Sequence, residues 1–127
     1  MSHGKFDLPH LEFGGMSQAV RSGDLVTVSG QVALGPDGLV GEGDARAQAE
    51  QALSNLEDAL GAAGAAPGDV VKLTCYLVDA GDYPAYAAAK AVRFGAAAPA
   101  GTCVVVAALL DPRFLIEVEA VAVLPSS

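Results

Sequence analysis

The stretch Leu25-Val26-Thr27-Val28-Ser29-Gly30-Gln31-Val32-Ala33-Leu34 decides the fold. It is rich in β-branched residues and nearly all apolar, which predicts a strand covered on both faces. Ser22-Gly23-Asp24 before it reads as a turn, so Met16–Arg21 and Leu25–Leu34 form a hairpin. Gly35-Pro36-Asp37-Gly38 after it is a second turn, because Pro presets one dihedral and Gly supplies a positive φ.

Working outward, Ala49, Ala52, Leu53, Leu56, Ala59, Leu60 and Ala63 recur at helical spacing and place one apolar stripe toward a core. Asp44 stands where an N-cap belongs and Gly64 where a left-handed C-cap belongs. Val70–Val78 alternates, with Val71, Leu73, Cys75 and Leu77 on one face, as a strand does. Asp82 and Pro84 open a second helix that ends before Gly95. Thr102–Leu109 and Phe114–Leu124 read as two final strands joined by a turn around Asp111-Pro112. Residues 1–14 lack any period and form an N-terminal arm with at most a short strand, which leaves 15–127 as one domain. The order predicts an α+β fold: a mixed six-stranded sheet with two helices packed on one face. Two helices cover only one face of such a sheet, so the apolar strands ask for a partner subunit on the other.

Composition narrows the function. With 127 residues the chain has room for one core, and 52% apolar residues are incompatible with a disordered chain. A charged fraction of 17% is low for so small a domain, another sign that part of its surface is covered by copies of itself. The net charge of −8 repels phosphate backbones and weighs against nucleic-acid partners. No apolar run reaches membrane-spanning length, and Met1–Gly15 lacks the apolar core of a signal peptide, so a cytoplasmic protein without membrane partners is expected. Cys75 and Cys103 alone make neither a disulfide framework nor a four-cysteine zinc site. The glycines match no phosphate-binding fingerprint, and no metal or organic cofactor is implied.

Three features stand out against this background. Glu117 and Glu119 interrupt an apolar strand on the face shared with Leu115, Val121 and Val123. Either this is a solvated face that happens to carry acids, or at least one carboxylate is buried and its pKa raised toward the range of a general acid–base. Ser29-Gly30-Gln31 interrupts the decisive strand. Glycine there marks either a plain bulge or a place where a ligand or another group comes close, with the Ser29 hydroxyl and nearby amides available to an oxyanion. Cys103 lies among valines, where a thiol is ordinarily inert packing.

These segments together resemble the RidA/YjgF family of small enamine/imine deaminases, also called endoribonuclease L-PSP. Ser17-Gln18-Ala19-Val20 is similar to the family's S-Q-A-V element, and Val28-Ser29-Gly30-Gln31 to its V-S-G-Q strand. Asn55-Leu56 with Ala62-Ala63-Gly64 resembles its first helix, and Asp69-Val70-Val71-Lys72 the start of the next strand. Pro99-Ala100 opens a further matching stretch, and Ile116-Glu117-Val118-Glu119-Ala120-Val121-Ala122 reproduces its closing E-x-E-A-x-A strand.

The resemblance implies a chorismate-mutase-like fold, a homotrimer, and small-molecule clefts at the three subunit boundaries. It assigns the catalytic acid to Glu117 and substrate contacts to Met16, Ser29, Gly30, Ala87, Gly101 and Cys103. The sequence departs from the family pattern at three of these. Gly101 stands where the archetypal deaminases carry an Arg that grips the substrate carboxylate as a bidentate fork. Met16 replaces the usual Tyr, and Ala87 an Asn. Losing a bidentate contact to a buried charge costs about 2–5 kcal/mol. That lowers activity on 2-imino acids by roughly one to four orders of magnitude. The expectation is an enzyme for an imine, enamine or enol that needs no α-carboxylate clamp. The alternatives are a non-catalytic trimer that binds a ligand or partner, or an isomerase or cyclase of a biosynthetic pathway. An RNase ranks behind these because of the acidic surface.

Overall fold

A computed structural model describes residues 3–125. In chain order the elements are β1 (Gly4–Phe6), β2 (Ala19–Ser22), β3 (Leu25–Gln31), β4 (Leu34–Gly35), β5 (Gly38–Leu39), helix α1 (Ala45–Ala62), β6 (Val70–Leu77), helix α2 (Tyr83–Phe94), β7 (Ala100–Val105) and β8 (Ile116–Val123). Six strands form one sheet in the order β1-β2-β3-β8-β6-β7, and a two-stranded ribbon, β4-β5, stands apart. Every neighbouring pair in the large sheet is antiparallel except β6 and β7, which are parallel. A parallel pair needs a crossover, and α2 is that crossover. The predicted α+β architecture, a mixed six-stranded sheet with two helices, is therefore present.

Helix α1 forms where the apolar stripe predicts it. Asp44 accepts a hydrogen bond from the Ala47 amide at 3.0 Å, filling one of the orphan donors of the first turn. At the other end Gly64 adopts φ +88°, which lets the Ala65 amide reach back to the Leu60 carbonyl at 2.8 Å. Between these caps Ala49, Ala52, Leu53, Leu56, Ala59 and Leu60 are buried. They meet Val26 and Val28 of β3, Leu73, Cys75 and Leu77 of β6, and Val118, Ala120 and Ala122 of β8 in one core. Each fully buried Leu contributes about 1.5–3 kcal/mol. Within the N-terminal segment, β1 pairs with β2, and Leu8 and Leu11 join the same core.

Several expectations need correction. The decisive strand ends at Gln31, and its faces differ: Val26 and Val28 are buried, while Leu25 and Thr27 are exposed in the single chain. In β6 the register shifts between Val70 and Lys72. The extra residue of that bulge turns Val71 out to solvent and puts Val70 on the core side with Leu73, Cys75 and Leu77. Strand β7 stops at Val105 and not at Leu109. It does not pair with β8, because β6 lies between them. Ahead of α2, Asp82 makes no side-chain cap bond; Asp79 instead accepts from the Gly81 amide at 2.8 Å in a short 3₁₀ turn that leads into the helix.

The face of the sheet without helices exposes Leu25, Val71, Val104 and Val123 among Lys72, Thr74, Tyr76 and Glu119. These apolar residues are the structural side of the low charged fraction.

Candidate functional site

Strand β8 starts at the site because Gln48 holds the chain just before it. This fully buried amide on α1 donates to the carbonyls of Gly41 (3.1 Å) and Arg113 (3.0 Å) and accepts from the Leu115 amide (2.9 Å). Two residues beyond Leu115, Glu117 points to the helix-free face of the sheet. Across the seam, β3 carries one residue too many: Val28 pairs with Ala120 and Gln31 with Val118. Ser29-Gly30 is thus a bulge, and the close approach that glycine permits there is made by the protein's own carboxylate. A Cβ at position 30 would stand 2.8 Å from Glu117 Cδ and 3.0 Å from its Cγ.

The bulge is tied down from the N-terminal side. The Ser29 amide donates to the Gln18 carbonyl at 2.9 Å, and its hydroxyl donates to the Ser17 carbonyl at 2.6 Å. Both Ser29 donors are engaged within the chain, and the residue positions Gly30. The buried amides Gln31 and Gln18 continue the network, Gln31 Nε2 to Gln18 Oε1 at 2.7 Å and Gln18 Nε2 to the Leu11 carbonyl at 2.7 Å.

Glu117 opens into a cavity of about 370 Å³ that Met16 and Gly30 also line. Its other walls are mainly apolar, from Leu11, Phe13, Val32, Leu34, Leu110 and Phe114. Burial raises the Glu117 carboxyl above the ordinary carboxylate range, and the nearby Glu119 charge adds to the shift. Glu117 is half-buried in the single chain, between the two readings of this strand. Glu119 instead accepts the phenolic hydrogen bond of Tyr76 on β6. The loop before β8 is clipped by Arg113, which donates from its backbone amide, Nε and Nη2 to Asp111 at 2.8, 3.1 and 2.8 Å. This holds the Asp111 carboxyl down to about 2.

The remaining predicted residues lie elsewhere. Gly101 and Cys103 line a second, smaller crevice of about 210 Å³ between β7 and α2, together with Tyr83, Tyr86, Lys90 and Thr102. By register they share the helix-side face with Leu73 and Cys75, opposite to the face that carries Glu117. Ala87 is half-buried on α2 and lines neither space. One chain therefore brings together Met16, Gly30 and Glu117, and separately Gly101 and Cys103. Cys75 is fully buried in the core, and burial chiefly pushes its thiol pKa up.

The sequence reading missed Phe13, Leu110 and Phe114, whose loops have no period to reveal a lining role. It also missed Gln48, a polar residue just ahead of the apolar stripe, and Lys90. Lys90 lies four residues after Tyr86, the spacing that stacks two side chains on one helix face, and its ammonium sits 5.5 Å from the Tyr86 ring centroid.

Comparison with known proteins gives the family and supports the fold. Residues 11–124 match the family model described as endoribonuclease L-PSP. The chain is 40% identical over 111 residues to a 2-iminobutanoate/2-iminopropanoate deaminase of Salmonella typhimurium, which covers 84% of each protein. It is 40% identical over 116 residues to a RutC family protein of Synechocystis, covering 89% of this chain and 88% of that one. The crystal structure of Rv2704 from Mycobacterium tuberculosis, of the YjgF/YER057c/UK114 family, superposes with a TM-score of 0.85. It has 36% identity and covers 97% of this chain and all of that one. The protein belongs to the RidA/YjgF (endoribonuclease L-PSP) family and has its fold. No helix among the described residues is long and apolar enough to cross a membrane.

Proposed function

We propose that this protein is an acid–base enzyme that hydrolyses an imine or enamine, with Glu117 as the proton-transfer group and without a guanidinium clamp. The observation that carries this reading is the Glu117 carboxylate set against Gly30 in an apolar cavity, with its proton affinity raised by burial. A group so placed takes a proton from water as the oxygen adds to the imine carbon. It returns that proton to nitrogen to give a carbinolamine, then carries the hydroxyl proton to nitrogen as the C–N bond breaks, so that ammonia leaves and a carbonyl product stays behind. The Salmonella relative, a 2-iminobutanoate/2-iminopropanoate deaminase, belongs to the same reaction class.

The working unit in this reading is a homotrimer. Its support is the placement of the two half-sites on opposite faces of one sheet, and the apolar residues left exposed on the helix-free face. A second copy closing on that face completes a cleft that no single chain forms.

The substrate gains nothing from a bidentate arginine, since position 101 is Gly. That same glycine favours a second reading, a trimer that binds a small molecule without turning it over. Ammonia release from freshly generated 2-aminoacrylate and from a carboxylate-free imine separates the two. The expected result is measurable release that Glu117→Gln reduces at least about a hundredfold, in the range general acid–base groups contribute. Release from 2-aminoacrylate should remain well below that of arginine-bearing relatives. Turnover of neither compound points to the binding protein, and 2-aminoacrylate turnover equal to those relatives overturns the clamp-free reading.

A further inference from the structure

The crevice between β7 and α2 has a charge that the mechanism above does not use. Lys90 reaches from α2 toward the strand, and its Nζ lies 3.9 Å from where a Cβ on Gly101 would stand. Glycine at 101 thus leaves open the ground in front of the ammonium. The other residues around it are Tyr83, Tyr86, Thr102 and Cys103, so the crevice is mostly polar and holds no acid. Among the described residues no carboxylate comes within ion-pair distance of Lys90, whereas Arg93, one turn on, is paired with Glu57 at 3.1 Å. Lys72, the other nearby lysine, is engaged with the Thr102 hydroxyl at 2.7 Å.

An ammonium kept off every acid and facing a space that a single glycine keeps clear is built to meet an anion. We infer that Lys90 is the anion-recognising residue of this protein, and that its ligand is a small molecule with one carboxylate placed over Gly101. One unpaired positive charge in about 210 Å³ matches a monoanion better than a phosphate dianion. The Tyr86 ring beneath the ammonium keeps it in place without neutralising it. Lysine is a compact point charge with a single contact, so it orients a carboxylate less strictly than a fork and adds a modest preference. The inference rests on the proposed reaction only in taking the anion to be part of the imine substrate.

Two measurements keep its failure separate from failure of that reaction. The first needs no turnover: an NMR titration of the intact protein, following the backbone amides of Gly101–Cys103, with 2-oxobutanoate and with neutral butanone. Saturable shifts with 2-oxobutanoate alone are expected, weakened at least about fivefold in Lys90→Met and retained in Lys90→Arg. Absence of binding to the native protein, equal binding in Lys90→Met, or equal binding of butanone overturns the inference. The second is the ratio of kcat/KM for an anionic imine over its neutral counterpart. A ratio of about ten should fall to about one in Lys90→Met; an unchanged ratio overturns the role of Lys90 in substrate choice and leaves Glu117 chemistry intact.

Discussion

The Glu117 carboxylate occupies the space that any side chain at position 30 would fill, so acid and glycine are one steric unit across the β3–β8 seam. The bulge at Ser29-Gly30 creates the room, and the hydrogen bonds of Ser29 to the Ser17 and Gln18 carbonyls fix it. The carboxylate proposed as the general acid–base is aimed by its neighbour's missing side chain.

Gly30→Ala tests that relationship directly. A methyl group 2.8 Å from Glu117 Cδ must displace the carboxylate. A misplacement near 1 Å costs up to about a hundredfold in rate, and the overpacking costs about 1–3 kcal/mol of stability. Steady-state ammonia release and thermal unfolding of the same sample check both, with native values in each as the contrary result.

The raised pKa of Glu117 sets a sign for pH dependence. A folded-state pKa above the unfolded one means the folded protein binds the proton more readily. The stability gained is full below the unfolded pKa and is lost as pH rises through the folded pKa. Glu117→Gln removes that loss, so its Tm should exceed the native Tm at about pH 7, with the gap closing near pH 4. Scanning calorimetry at both pH values measures it. On the proposed mechanism, kcat/KM of the native protein should rise with pH through a pKa above the ordinary carboxylate range, because the base form is the one that accepts the proton.

Gln48 links α1 to the chain that leads into the site. Replacing it with Leu strands the Leu115 amide and the carbonyls of Gly41 and Arg113. Each buried polar group left without a partner costs about 1–3 kcal/mol. A loss of about 2–5 kcal/mol by denaturant unfolding is expected, and a Leu variant as stable as native would show that the loop does not depend on this amide.

On the helix-free face Val121 lies opposite Thr27, next along the strands to the exposed pair Leu25 and Val123. Val121→Lys puts a charge into the surface proposed to close the trimer. Light scattering should give a trimer for the native protein at micromolar concentration and smaller species for the variant, with loss of activity in parallel. A native protein that is a stable monomer would refute the assembly.

Much of the fold was legible because its determinants are local. The stripe from Ala49 to Ala63, Asp44 and Gly64 at its ends, and the β-branched runs need only near neighbours to be read. They led to the right elements and to the family, and the acid at 117 and the glycine at 30 came with the motifs. Register was not legible. The bulge that turns Val71 outward depends on how β6 lies along β8, and the early end of β7 depends on its edge position beside β6 alone.

What the sequence by itself determined was therefore the element order, the core face of α1, the family, and the glycine at position 101. Only the tertiary structure decided that Glu117 rests on Gly30, that Ser29 anchors the bulge, and that Gly101 lies across the sheet from the acid with Lys90 before it. The reason is physical. Periodicity and caps are set by residues within a turn or two of each other. Contacts between Gly30 and Glu117, or Lys90 and Gly101, arise from strand register and side-chain packing over long separations.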